Sequence, residues 1–279
     1  MKQMATARRQ GYWDLRAAGN FIGGGTGTGL VLTAALAAAA GHPADLPLAA
    51  GLGCVMAGLS LVWLEIGKPW RAFNVFFHPQ TSWMTREGIL AGPLLAVGAG
   101  AFLFHRPELL AAAAVLAAGF LYCQARLLRA SRAIPAWSTP MVVPLIVATA
   151  LAEGSGAFLA LTAPAPVMVG FALAAGLARE AFRHLYRREL VRAKAPDGTL
   201  AWFSRPEVHV LQAARLASLA LLAAALAGQP TAMAGGILAM LAGWGLKAVM
   251  VTRAAYTRGA RIPRTPVRGR GTSRIVAPS

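Results

Sequence analysis

The feature that most constrains this chain is the placement of its charge. Twenty-seven Lys and Arg stand against ten Asp and Glu, and almost all of them fall in gaps between long apolar runs. The chain is 57% hydrophobic and 13% charged over 279 residues, with a mean hydropathy of +0.55. A soluble domain carries about 25% charged residues, so the composition argues against a water-soluble fold. A spanning helix needs about 20 mostly apolar residues, because the hydrocarbon layer is roughly 30 Å thick and every backbone group inside it must bond within its own helix. The runs between breakers predict spans at Ala18–Ala40, Leu46–Gly67, Glu87–Phe104, Pro107–Leu128, Ser138–Leu161, Pro164–Ala178, His209–Gly228 and Thr231–Thr252. The sixth is short, and its pattern continues through Arg179–Ala195 as an amphipathic extension.

The basic residues test this map, because short loops rich in Lys and Arg stay cytoplasmic. Four lie before the first span and three between the second and third (Lys68, Arg71, Arg86). Three more close the fourth span (Arg126, Arg129, Arg132), seven join the sixth to the seventh, and seven lie in the tail. The alternate loops, Gly41–Asp45, His105–Arg106, Thr162–Ala163 and Gln229–Pro230, hold Arg106 alone. The expected fold is therefore all-α: a polytopic integral membrane protein with eight transmembrane helices, arranged by count as two four-helix bundles. Residues 1–17 form a basic cytoplasmic segment, 18–252 the membrane domain (18–128 and 138–252 being the two bundles), and 253–279 a basic, Pro/Gly-rich cytoplasmic tail. That tail is expected to be disordered or to lie as a strap along lipid.

A net charge of +17 and a pI near 11.6 invite a nucleic-acid reading. Such proteins set basic residues beside aromatic platforms on a soluble fold, and here the charge separates apolar runs instead. It reads as a topology signal and as a surface for anionic lipid or an acidic partner. Cys54 and Cys123 sit inside apolar runs without metal-ligand spacing. No cleavable leader is expected, since Met1–Ala17 is polar and leads into a full-length span.

Gly19, Gly23 and Gly27 repeat at four-residue spacing, as do Gly25 and Gly29. A phosphate loop would need a preceding strand, so the run reads either as a groove for helix packing or as a face that a flat ligand can approach. A transmembrane haem wants His from within helices, whereas His42, His78, His105, His184 and His209 are expected in loops or at helix ends. Ionisable groups inside lipid are costly: Glu65, Glu87, Arg215 and Lys247 fall toward the cytoplasmic side, with Asn20 and Tyr122 at similar depth. Glu65 and Glu87 either cap helices and pair with Lys68, Arg71 and Arg86, or form a proton-exchanging site for a polar head on an apolar tail. Glu153, nearer the outer face, is either a proton-path residue or a buried group bonded to backbone.

The stretch Leu64-Glu65-Ile66-Gly67-Lys68-Pro69-Trp70-Arg71-Ala72-Phe73-Asn74, followed by Ser82-Trp83-Met84-Thr85-Arg86-Glu87, resembles the membrane-anchor subunit of the dimethyl sulfoxide reductase family. Ala133-Ile134-Pro135-Ala136-Trp137-Ser138-Thr139-Pro140-Met141 looks like that family's entry to its fifth helix. Trp13–Gly25 further resembles anchor subunits of phenylacetyl-CoA:acceptor oxidoreductase, a related enzyme. The resemblance covers the first half well and the second mainly in helix count.

The resemblance implies a haem-free subunit binding a quinone (menaquinone or ubiquinone) in the first bundle. Its implied partners are a ferredoxin-like subunit with four iron–sulfur clusters and a catalytic subunit carrying a molybdenum or tungsten bis-pterin; those centres belong to the partners alone. By position, Glu87 matches a family acid linked to the quinol site, and Glu65 stands where the family has a histidine; both are candidate proton carriers. Asn20 and Tyr122 resemble quinone-contacting residues by helix and depth. With Gly23, Gly24, Lys68, Arg71 and Arg86 they make up the expected pocket or its rim. The charge rule puts the Lys68–Arg86 loop inside, so the partners are expected on the cytoplasmic face of a bacterial inner membrane, along with both termini. The competing expectations are a proton-coupled secondary transporter and a passive anchor.

Overall fold

The computed structural model describes residues 2–66 and 69–262, with side chains for all of these except 2–4, 65, 66, 69–72 and 260–262. Eight long helices carry the fold: α1 (Leu15–Ala39), α2 (Asp45–Ile66), α3 (Trp83–Phe104), α4 (Pro107–Ala130), α6 (Val142–Leu161), α7 (Pro166–Arg192), α9 (Pro206–Leu226) and α10 (Ala232–Ala248). Short helices α5 (Pro135–Ser138) and α8 (Asp197–Trp202) and a 3-10 segment, Pro69–Phe76, connect them. Strands β1 (Lys2–Ala5) and β2 (Ala260–Ile262) pair antiparallel, joining the segment before α1 to the one after α10. Among the described residues, seven helices are long and apolar enough to cross a membrane, all of the long ones except α7.

Helix boundaries follow local chemistry. Asp14 opens α1: its carboxylate accepts from the Arg16 backbone amide (2.7 Å) and pairs with the Arg16 guanidinium (2.9 Å), contacts that hold it below the usual carboxylate range. Ser82 caps α3 by accepting from Thr85 N, so this helix starts at Trp83 and Glu87 sits one turn inside it. Proline occupies the first turn of α4, α5, α7 and α9, where its missing N–H is no loss. Gly41 (φ 78°) and Gly228 (φ 90°) take the left-handed turn that ends α1 and α9.

Three sequence expectations are revised. The sixth apolar run and its amphipathic extension form one continuous helix, α7, because no breaker separates Ala178 from Arg192. His184 therefore lies well inside a helix, exposed among arginines, and not at a helix end. The first part of the tail is packed: Ala254 and Ala255 are buried, and Tyr256 bridges to Arg9. Paired extended segments satisfy each other's backbone groups there, while residues 263–279 lie outside the described residues.

α10 ends in a π-helical turn, Val249–Arg253. Carbonyls there and just beyond are taken by Trp137 Nε1 (to Met250, 2.9 Å), Gln10 Nε2 (to Val251, 3.1 Å) and Thr199 Oγ1 (to Ala254, 2.9 Å). Three separate connections are thereby tied to one helix end.

α1 is the central element, packed against α2, α4, α6 and α10. Its glycines permit this. A Cβ at Gly23 or Gly27 would run into the α2 backbone at Cys54, Gly58 or Gly51, and one at Gly29 would overlap Ala150 and Gly154 of α6. Gly154→Leu is expected to cost about 3 kcal/mol of stability by overpacking, whereas Gly53→Leu, with open space around its Cβ, is expected to be near neutral. Thermal unfolding of the two variants in detergent checks this.

Candidate functional site

The glycine face of α1 also receives polar side chains from its neighbours. Gly25 leaves room for the Lys247 ammonium from α10, and Gly24 for the Gln124 amide from α4. Lys247 Nζ pairs with Glu153 Oε2 of α6 at 2.6 Å and donates to the Phe21 carbonyl at 3.0 Å; both charged side chains are 0% exposed. The Thr26 hydroxyl donates to the same carboxylate oxygen (2.9 Å) and accepts from Trp244 Nε1 (2.9 Å). Three helices thus share one ion pair. Glu153 is bonded to a lysine and a threonine side chain, not to backbone, and its other oxygen has no partner among the described residues.

A second polar group sits between α1, α3 and α4. Glu87 is 4% exposed and has no ion pair among the described residues. Gln124 Nε2 donates to Glu87 Oε1 at 3.4 Å and to the Asn20 backbone carbonyl at 3.1 Å. Buried Asn20 Oδ1 and Gln124 Oε1 have no hydrogen-bond partner among the described residues, so the two amides beside this carboxyl group each keep an unsatisfied acceptor. Leaving a buried acceptor unmatched costs about 1–3 kcal/mol, which a donor-bearing ligand would relieve.

The capping reading of Glu87 and its pairing with Arg86 are overturned. Ser82 provides the cap, and the Arg86 guanidinium instead donates to the carbonyls of Pro79 (2.7 Å) and Gln80 (2.8 Å) and stacks on Trp83. Asn20 joins Glu87 as expected. Gly24 borders the site through Gln124, whereas Gly23 is consumed by packing against α2. Tyr122 faces outward, accepting from Arg126 (2.7 Å) and meeting the edge of Trp83. Trp83, Tyr122, Arg86 and Arg126 form a cation–aromatic rim on the outer side of α3 and α4. The side chains of Glu65, Lys68 and Arg71 lie outside the described residues.

Gln124 was missed by sequence reasoning, although an amide in the apolar run Pro107–Leu128 is itself a signal. Thr26 and Trp244 gave no comparable signal, since either residue is ordinary in a membrane helix.

Lys247→Met strands the Glu153 charge and is expected to destabilise the protein by about 3 kcal/mol, while Lys247→Met combined with Glu153→Gln recovers most of that loss. Unfolding midpoints of both singles and the double variant measure the coupling.

In comparison with known proteins, no family model matches this chain, and no curated sequence matches it.

Proposed function

We propose that this chain is the quinone-reactive membrane-anchor subunit of an oxidoreductase complex, passing electrons between an iron–sulfur partner and membrane quinone. The single observation that carries the reading is Glu87: a buried carboxyl group that has no ion pair among the described residues and lies beside two amides with unsatisfied acceptors. Quinone reduction takes up two electrons and two protons, and the quinol formed presents two hydroxyl donors. Asn20 Oδ1 and Gln124 Oε1 suit those hydroxyls, and Glu87 is placed to hand over or receive the proton. The aromatic and guanidinium rim of Trp83, Tyr122, Arg86 and Arg126 suits the mouth of such a site at a membrane interface.

The proposed architecture is eight crossings in two bundles, α1–α4 and α6, α7, α9 and α10, with both termini cytoplasmic in a bacterial inner membrane. What supports the eighth crossing is the ribbon. β1 and β2 pair the segment before α1 with the one after α10, so the number of crossings between them is even, and α7 supplies the one that hydropathy leaves out. The partners are a ferredoxin-like four-cluster subunit and a molybdenum or tungsten pterin subunit, docked on the basic face. The support for them is the resemblance of Leu64–Asn74 and Ser82–Glu87.

A second reading, a proton-coupled transporter, draws on the buried Glu153–Lys247 pair. A chain that purifies from native membranes alone, without metals or quinone turnover, favours it.

Glu87→Gln is expected to lower quinone turnover by the intact complex about 100-fold, the usual contribution of a positioned acid or base, without releasing the partners. Unchanged turnover would point to a passive anchor.

A further inference from the structure

A third polar cluster lies away from the α1 face, where α7 meets α9 and α10. Glu180 is its only carboxylate among the described residues: Oε1 lies 2.7 Å from Arg215 Nε and 3.8 Å from Arg179 Nε, and Oε2 is 2.9 Å from Arg183 Nε. Three guanidiniums therefore face one carboxylate. The next acid, Glu153, is engaged by Lys247. Arg179 and Arg215 are 0% and 1% exposed, so their charge is not screened by water and is matched only in part by the one carboxylate they share with Arg183.

Their hydrogen-bonding capacity is also unspent. Arg179 Nη1 donates to the Ala239 carbonyl (2.8 Å), but Nη2 of Arg179 and Nη2 of Arg215 have no partner among the described residues. Arg215 and Arg183 line a small cavity whose remaining wall is mainly apolar and aromatic, including Tyr186, Trp202, Leu211 and Leu246. At about 30 Å³ it has room for roughly two water-sized groups, so two oxygens of an anion can enter while the rest of the anion and any acyl chain stay at its mouth. α9 itself buries only a narrow stripe, Arg215, Ser218 and Leu222, and presents Val210 and Leu216 outward.

We propose that Arg183 and Arg215 bind a phosphate oxyanion at this cavity, with the buried Arg179 adding positive charge behind them. The planar guanidinium fork matches phosphate oxygens, and an added anion neutralises the surplus charge that Glu180 leaves. Two sources share this chemistry, the headgroup of an anionic phospholipid and free inorganic phosphate. With a lipid as the source, the acyl chains lie outside the cavity along the exposed apolar face of α9.

The test uses the full chain, delipidated in detergent and followed by thermal unfolding. Dioctanoyl phosphatidylglycerol, inorganic phosphate and dioctanoyl glycerol, which lacks phosphate, are added separately. A rise in Tm of about 5 °C with the phosphatidylglycerol over dioctanoyl glycerol is expected at saturation. The same rise with inorganic phosphate identifies the free ion as a ligand; a rise with the lipid alone identifies the headgroup. Arg215→Gln is expected to abolish the rise, and Arg183→Gln, at a less buried position, keeps the test available if the first variant does not fold. No rise with either phosphate source, an equal rise with dioctanoyl glycerol, or a rise unchanged in Arg183→Gln overturns the proposal.

Discussion

Close backbone approach along α1 is the constraint on which the rest of the structure depends. In lipid, burying a leucine against another helix removes it from an equally apolar solvent, so helices associate through van der Waals packing and hydrogen bonds. Glycines on two sides of α1 let α2 and α6 come within reach of its backbone, at Gly23 and Gly27 on one side and Gly29 on the other. The same absence of side chains opens slots for Gln124 and Lys247. One sequence feature thus sets both the packing of the central helix and the placement of two polar groups.

Among the described residues, the buried charged side chains fall into three clusters with different electrostatic balance. Glu153 and Lys247 neutralise each other and join α6 and α10 to α1. Glu87 has amides beside it and no ion pair among the described residues, a setting suited to exchanging a proton. The cluster on α7 and α9 holds more guanidinium than carboxylate, a setting suited to an anion. A paired group chiefly joins helices, whereas an unpaired group retains capacity for a ligand.

Much of the fold was legible before any coordinates. Apolar runs located all eight long helices, because a bilayer demands uninterrupted helical hydrogen bonding over a fixed thickness. Errors came at the ends. Ser82 moved the start of α3 back from Glu87, and the continuous α7 carried His184 into a helix interior. The site was less legible. Glu87 and Asn20 were singled out and do lie together, yet Gln124, which connects them, was passed over. Tyr122 was matched by depth, but its rotational position about α4 points it outward to Arg126.

The sequence by itself determined the membrane class, the positions of the long apolar helices and the segregation of basic residues into alternate connections, since each follows from local composition and one-dimensional order. Only the tertiary structure decided which charges meet. Glu153 and Lys247 are 94 residues apart, and Glu180 and Arg215 lie on different helices, so no local pattern joins them. Their contact depends on how each helix is rotated and on its depth relative to its neighbours. Packing of glycine against backbone fixes both.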